Sequence, residues 1–177
     1  MNGLRIQNFT LAGVLAYFGF FLMGTVVSPL VPYLVTSGII QPEQLELAAL
    51  VVVCIDAALY SLIVVFFLGW ALCLRKKKGL RAVCALGALA NLANLGNLLF
   101  LSDNYSLSQT LHLTLFLMSF GVILAFCSLM IYYHPKKKWF IAFCLLAMFP
   151  FESYPLFLGI ALVMLFLEQR RGLSPLD

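Results

Sequence analysis

Asp56 is the residue with the clearest chemical potential, because it is a lone carboxylate inside a long apolar stretch. Residues 47–74 contain no other charged side chain. A carboxylate at membrane depth costs at least ~2.5 kcal/mol on insertion scales, so it is expected to face protein or water instead of lipid. Tyr60 follows at i+4 and shares the same helix face. Asp56 is therefore predicted to accept a proton or a cation, with Tyr60 as a donor or relay.

A second polar feature is a run of asparagines in the segment LANLANLGNL. Asn91, Asn94 and Asn97 are spaced three apart, and at ~100° per residue they cover an arc of about 120° on a helix. Gly87 and Ala90 share that arc. Asparagines and small residues also join helices through hydrogen bonds and close approach. The stripe is therefore predicted to be either the hydrogen-bonding wall of a ligand site or a set of interhelical contacts.

The first apolar stretch contains two prolines that disturb helical hydrogen bonding. Pro29 and Pro32 have no backbone N–H, so they cannot donate to the carbonyls of Thr25 and Ser28, four residues earlier. The last third of this helix is predicted to be kinked or unwound. Broken helices with spare carbonyls and a buried carboxylate are a common construction of membrane solute and ion sites. Thr25 and Ser28 therefore join the predicted site.

The relative depth of these residues follows from reflecting each antiparallel helix pair about its connecting loop. Thr25, Asp56, Asn97 and His112 come out at one level in the outer half of the membrane, with an error of ~6 Å. His112 would then be a further donor or relay, or a contact between helices near the membrane surface. The predicted ligand-binding residues are Thr25, Ser28, Asp56, Tyr60, Asn91, Asn94, Asn97 and His112.

No cofactor, metal ion or nucleic acid is predicted to bind. His112 and His134 are the only 2 histidines, and they lie ~33 Å apart along one helix, too far to clamp one haem. Zinc would need three or four closely spaced His, Cys or carboxylate ligands, and phosphate-binding and nucleophile-elbow motifs are absent. The 5 cysteines lie inside apolar runs without C-x-x-C spacing, which indicates packing residues. No basic face with stacking aromatics suggests nucleic-acid binding.

The composition defines the elements that must position these residues. Hydrophobic residues make up 63% of the chain and charged residues 10%, whereas about 25% of a soluble domain is charged. The mean hydropathy is +1.04. We predict an all-α integral membrane helical bundle with a single transmembrane domain over residues 1–177, because each apolar run approaches the ~20 residues that cross the hydrocarbon. The predicted helices are about 9–35, 47–74, 80–101, 109–133, 139–149 and 156–167.

The C-terminal part allows two arrangements. The segment PFESYP at 150–155 divides it into apolar arms that each rise only ~18 Å. One kinked helix would leave Arg170 and Arg171 outside, whereas a hairpin of two short helices returns them to the inside. We predict a short-helix or re-entrant hairpin after four full transmembrane helices, about six segments in all. Glu152 would lie at its bend, within reach of water.

Basic residues predict the orientation of the bundle. They cluster in the loops 75–81 and 134–138 and near the C-terminus, as expected for cytoplasmic loops. The N-terminus and the C-terminus are then both inside, in a plasma membrane, or in the inner membrane if the protein is bacterial. Contact of the basic loops with membrane lipids, including anionic headgroups, is expected.

Three functions remain open at this stage. The first is a membrane component that binds or transports a small solute, a proton or a cation at Asp56. The second is a non-enzymatic accessory, assembly or immunity-type subunit that packs against a larger membrane protein partner. The third is an intramembrane enzyme acting on a lipid or peptide, for which His112 and Glu152 would be the candidate acid and base. Enzyme activity is the least favoured, so no catalytic residue is assigned.

Overall fold

Within the residues that the structure describes, every regular element is a helix or a helical turn. The computed structural model describes residues 2–74, 76–100, 105–149 and 153–172, with side chains from residue 6 onward except at 42, 105–110 and 112. The elements are α1 (Asn2–Leu22), a π turn (Met23–Val27), α2 (Ser28–Thr36), a 3-10 turn (Pro42–Gln44), α3 (Leu45–Cys73), α4 (Lys78–Phe100), α5 (Tyr105–Tyr133), α6 (Lys138–Ala147) and α7 (Tyr154–Arg170). The π turn joins α1 and α2 into one continuous helix, which we call the first helix.

Among the described residues, four helices are long and apolar enough to span a membrane, as predicted. Their apolar segments are Ile6–Thr36, Leu45–Cys73, Lys78–Phe100 and Leu113–Tyr133. The chain is an integral membrane protein with several spanning helices. The first helix begins at Asn2 instead of near residue 9, because Ile6 and Thr10 are buried against neighbouring helices. The sequence of residues 2–8, NGLRIQN, is largely polar and gives no indication of this packing.

The two prolines of the first span are accommodated by a change of helix type. Between Met23 and Val27 the helix widens into a π turn, in which the backbone N–H of Ser28 donates to the carbonyl of Met23. Pro29 lies in the first turn of α2, and Pro32 lies inside it. The predicted disturbance is therefore a π turn in a continuous helix. Such turns are rare and are frequent at functional sites.

The C-terminal segment forms a hairpin of two helices. The ammonium group of Lys137, just before α6, pairs with the carboxylate of Glu168 in the last turns of α7, and α6 packs against α7. The two outer ends of the hairpin therefore meet, which excludes one continuous kinked helix. The hairpin bend, residues 150–152 with Glu152, lies outside the described residues. α6 has 10 residues and rises ~15 Å, about half the hydrocarbon thickness.

The helices are arranged as a closed ring around an aromatic centre. Contacts run in the order α1, α3, α4, α5, α6 and α7, and α7 returns to α1. Phe66, Phe67 and Trp70 of α3 meet Phe126 of α5 in the middle of the ring, with neighbouring ring centroids 4.8 to 5.8 Å apart. All four side chains are almost fully buried. We refer to them as the aromatic cluster.

The two ends of the ring differ in packing. The basic half contains the start of α1, the loops that follow α3 and α5, and the end of α7, so both described chain ends lie with the basic loops. Here the Thr10 hydroxyl donates to the Ile6 carbonyl (2.9 Å), lies 2.8 Å from Oε1 of Gln169 and accepts from Nε1 of Trp70 (3.1 Å). The far half contains α2, the start of α3, the end of α4 and the start of α5. No residue of α2 is buried.

Candidate functional site

Asp56 lies in a groove between the first helix and α3, in the far half of the bundle. The groove has a volume of about 600 Å³. Met23, Gly24 and Val27 of the π turn form one wall, and the opposite wall comes from α3. Asp56 is the only ionisable residue among the described lining residues, which are otherwise almost entirely apolar. We call this space the Asp56 groove.

The groove exists because the two helices touch at one level and separate beyond it. Gly19 allows the contact, since a Cβ added there would come within 2.3 Å of the Leu59 side chain. One turn farther along, a Cβ added at Gly24 would meet no atom of the described neighbouring elements within 4 Å. The π turn begins at Met23, immediately past the contact. Close packing at Gly19 thus ends where the groove begins.

The Asp56 carboxylate has no protein partner among the described residues. No hydrogen bond or ion pair joins it to another described side chain, and the side chain is only partly buried. A carboxylate between apolar walls attracts a cation more strongly than one in bulk water, because apolar walls screen its charge less than water does. No described residue that lines the groove carries a positive charge. The groove therefore offers a single negative charge at one end of an apolar surface.

A second and smaller space lies next to the groove, inside the ring. Its volume is about 80 Å³, enough for a few water molecules. Five helices contribute to its wall, and the polar side chains among the lining residues carry no formal charge. We call it the tyrosine cavity. The polar residues that line it are Tyr17, Tyr60, Asn91, Asn94, Ser119 and Tyr154.

The asparagines in the tyrosine cavity are oriented by their own helix. Nδ2 of Asn91 donates to the carbonyl of Gly87 (2.8 Å), and Nδ2 of Asn94 donates to the carbonyl of Ala90 (3.1 Å). Nδ2 of Asn94 also donates to the hydroxyl of Ser119 on α5 (2.9 Å). Nδ2 of Asn94 thus donates to its own helix and to α5, whereas Nδ2 of Asn91 donates to its own helix. The side-chain carbonyl oxygens of both residues are hydrogen-bond acceptors.

Phe20 separates the groove from the cavity, because it is a lining residue of both spaces. Its ring packs against the ring of Tyr60 in an edge-to-face contact with centroids 4.9 Å apart. On the side of the basic half, the cavity is bounded by Ile63 and Ile123, beyond which lies the aromatic cluster. The two spaces thus adjoin each other, and packed aromatic side chains separate them from the basic end.

The structure distributes the predicted site residues over these two spaces. Tyr60, Asn91 and Asn94 come together around the tyrosine cavity. Asp56 and Ser28 line the Asp56 groove, and Asp56 lies one helical turn before Tyr60 on α3. The Asn94–Ser119 hydrogen bond also joins two helices, so for Asn94 a helix contact and a cavity wall coexist.

Two of the remaining predicted residues, Thr25 and Asn97, line neither space. Thr25 is exposed, and its hydroxyl donates to the carbonyl of Phe21 in its own helix (2.7 Å). Asn97 is buried, with 7% of its surface exposed, and its Oδ1 has no hydrogen-bond partner among the described residues. The side chain of His112 lies outside the described residues.

Three polar residues of the cavity were absent from the predicted set. Tyr17, Ser119 and Tyr154 come from α1, α5 and α7. Tyr17 and Ser119 are single polar residues in apolar stretches, and Tyr154 belongs to the PFESYP segment between the two apolar arms. Their spacing along the chain carries no signal of their meeting. Tyr154 reaches the cavity because α7 begins at the depth of Tyr60, near the middle of α3.

The fold and these spaces define a multi-pass helical membrane protein with polar groups enclosed near the middle of its spans. The sequence matches no protein-family model, no curated protein and no solved structure. Among the described residues, no group of three or more His, Cys, Asp or Glu side chains is placed to hold a metal ion. The chemical argument for function therefore depends on the groove and the cavity themselves.

Proposed function

We propose that this protein binds an amphipathic cation that is dissolved in the membrane, with the cationic group at Asp56 and the apolar body in the Asp56 groove. The observation that carries the proposal is an unpaired carboxylate at the end of an apolar groove of about 600 Å³. This volume lies in the range of ~300–1,000 Å³ that is usual for small-molecule sites. A small hydrated ion would leave most of that apolar surface unused, whereas a lipid-like or aromatic cation covers it.

The charge of the site sets the sign of the ligand. A carboxylate at membrane depth is costly unless it is protonated, hydrated or paired, and the described groove walls supply no cation to Asp56. A bound cation would offset that cost directly. An anionic or neutral amphiphile would leave the carboxylate unpaired and is expected to bind more weakly.

Binding is favoured over transport for the arrangement that the described residues adopt. A route from the groove to the basic end would have to pass Phe66, Phe67, Trp70 and Phe126, which are packed and almost fully buried. Opening such a cluster requires a second packing of the core. The proposed activity is therefore reversible binding from the membrane or from the far side of the bundle.

The test is a binding titration of a fluorescent lipophilic cation on the purified protein in lipid nanodiscs. Asp56→Asn keeps the shape of the side chain and removes its charge, so we expect about tenfold or greater loss of affinity, the usual worth of a charge-assisted contact. Glu46→Gln is the matched control, because it removes a carboxylate from an exposed position on the same helix. Equal affinity of wild type and Asp56→Asn would contradict the proposal.

A second candidate function, the accessory subunit, is favoured by a different surface. A groove of about 530 Å³ lies between α4 and α5 and is lined by apolar side chains that include Ala90, Ala93, Gly121 and Ala125. Small residues of this kind let another transmembrane helix approach closely. A stoichiometric partner that copurifies in mild detergent, and that is lost on Ala93→Leu or Gly121→Leu, would support this candidate. A monodisperse monomer with no partner would argue against it.

A further inference from the structure

The tyrosine cavity is the place where most of the bundle converges. Its lining comes from α1, α3, α4, α5 and α7, while the Asp56 groove uses the first helix and α3 alone. Burying several hydroxyl and amide groups in the middle of a membrane bundle is costly unless each finds a partner. A cavity that holds these groups together offers hydrogen-bonding positions to an occupant, which is water or the polar part of a ligand.

The chemistry of the cavity wall selects the kind of group that fits. No described lining residue is basic, so an anion would find no countercharge, and none is acidic, so a second cation would find none either. The asparagine side-chain carbonyls accept hydrogen bonds, and the tyrosine and serine hydroxyls can donate or accept. These properties favour a small uncharged group that both donates and accepts, such as a hydroxyl or a primary amide.

The position of the Phe20 ring determines whether a ligand bound in the Asp56 groove can place such a hydroxyl or amide in the tyrosine cavity. Its ring is partly exposed, lines both spaces and contacts Tyr60 by an edge-to-face packing that forms no hydrogen bond. The side chain lies one turn before the π turn, beside the open volume of the groove. A change of rotamer toward the groove would join the two spaces without moving a helix.

We propose that the Asp56 groove and the tyrosine cavity are two parts of one composite ligand site, divided by a movable Phe20 ring. The cationic group of the ligand pairs with Asp56, its apolar body lies in the groove, and a short uncharged hydrogen-bonding arm enters the cavity. This inference rests on the proposed function, and it adds the chemical class of the ligand: an amphipathic cation that carries a hydroxyl or primary amide.

The experiment compares two lipophilic cations of the same skeleton, one with a short hydroxyl or amide arm and one with a methyl group of similar size in its place. Wild-type protein in nanodiscs is expected to bind the polar compound about three- to tenfold more tightly, the contribution of one or two neutral hydrogen bonds. Equal affinity for the two compounds, together with weaker binding of both to Asp56→Asn, would overturn this inference and leave the proposed function intact.

Substitutions in the wall of the tyrosine cavity test whether the preference for the polar compound arises there. Asn94→Leu is expected to reduce the ratio of the two affinities to about one. Asn97→Leu is the matched control, because Asn97 is a buried asparagine of the same helix that does not line the cavity, and it should keep the wild-type ratio. Since Asn94 also binds Ser119, Tyr154→Phe, which removes one hydroxyl only, provides a second test if Asn94→Leu does not fold. A wild-type ratio in both Asn94→Leu and Tyr154→Phe would overturn the inference.

The role of the Phe20 ring as the partition between the two spaces can be tested separately through the association rate. Phe20→Ala joins the two spaces permanently, so the polar compound should associate faster relative to the methyl compound than it does in wild type. An unchanged ratio of the association rates would remove Phe20 as the partition. If Asp56→Asn weakens neither compound while the polar preference persists, the proposed cation function fails and the cavity remains a separate polar site.

Discussion

The basic half and the far half of this bundle are built to different degrees of closure. In the basic half six helical segments close a ring around the aromatic cluster, and a buried threonine, tryptophan and glutamine share polar contacts. In the far half four spans continue without the hairpin, and the first helix has no buried residue from Met23 to Thr36. The same chain thus combines a packed core with an open region.

The difference has a physical origin in the length of the C-terminal helices. α6 rises only ~15 Å, so the described part of the hairpin packs in the ring at the basic end and does not extend along the far half of the spans. The tyrosine cavity lies at this boundary, with Tyr154 at the start of α7 on its wall. The candidate ligand-binding residues therefore lie at the boundary between the two halves. The tightly packed basic half can hold their side chains in position, and the open far half gives a ligand access to them.

The largest test of this contrast uses the 2 tryptophans of the chain. Trp70 has 0% of its surface exposed and Trp139 has 75%. Trp70→Ala should destabilise the protein by about 3–5 kcal/mol, because it leaves a cavity in the aromatic cluster and removes the hydrogen bond to Thr10. Trp139→Ala should change stability by less than about 0.5 kcal/mol. Denaturant titrations in detergent measure both, and similar losses would show that the ring centre is not the stabilising core.

Glycines provide a second, smaller comparison. A Cβ on Gly69 would lie 2.1 Å from the ring of Phe9, whereas one on Gly121 would meet nothing within 4 Å. Gly69→Ala should therefore cost about 1–3 kcal/mol through overpacking. Gly121→Ala should be neutral or stabilising by up to ~1 kcal/mol, the difference in helix propensity. The same unfolding titration checks both variants, and a stabilising Gly69→Ala would contradict the close α1–α3 approach.

The fold could be predicted well because each membrane span is indicated by the length and composition of one contiguous segment of the sequence. Apolar length defined the four spanning helices, and the charges at Arg170 and Arg171 favoured the hairpin over one kinked helix. Pro29 and Pro32 predicted a disturbance of the first helix but not its form, because two missing N–H donors are compatible with a kink, an unwound segment or a π turn.

The candidate site could be predicted only in part, because a sequence identifies the face of a helix but not what that face meets. The cost of a membrane carboxylate singled out Asp56, and regular spacing singled out Asn91 and Asn94, the two asparagines among the described residues of the cavity wall. The approach of Tyr17 and Tyr154 depends on the order of the helices in the ring and on the depth at which α7 begins. The spacing of residues along the chain predicts neither of these.

The ion pair that closes the hairpin should contribute less than the apolar core. Lys137 and Glu168 are partly exposed, at 33% and 18% of their side-chain surfaces, so water and salt screen the pair. Glu168→Gln should lower stability by about 1 kcal/mol or less, with a smaller effect at high salt. A double-mutant cycle with Lys137→Ala isolates the coupling. A loss comparable to that of Trp70→Ala would mean that charge, and not packing, holds the hairpin in the ring.

His134 should have the smallest effect at neutral pH and a growing effect in acid. It lies just past α5 and is 2% exposed, and this burial lowers its pKa below the ordinary value of 6.5. The Met130 carbonyl and Glu168 raise the pKa, while Lys137 and Lys77 lower it, so burial decides the direction. Nδ1 lies 3.1 Å from the Met130 carbonyl, and Nε2 has no hydrogen-bond partner among the described residues.

A lowered pKa in the folded state means that the unfolded chain binds the proton more readily. The contribution of His134 to stability is therefore fully present above pH 6.5 and is lost as the pH falls below that value toward the lowered pKa. Unfolding free energies of wild type and His134→Phe, measured from about pH 8 to about pH 5, should diverge in slope only in the acidic part, because subtraction cancels the other titrating groups. Parallel curves throughout would mean that the His134 imidazole has the same pKa in the folded and the unfolded protein. The close packing of the basic half would then not extend to His134, just past the end of α5.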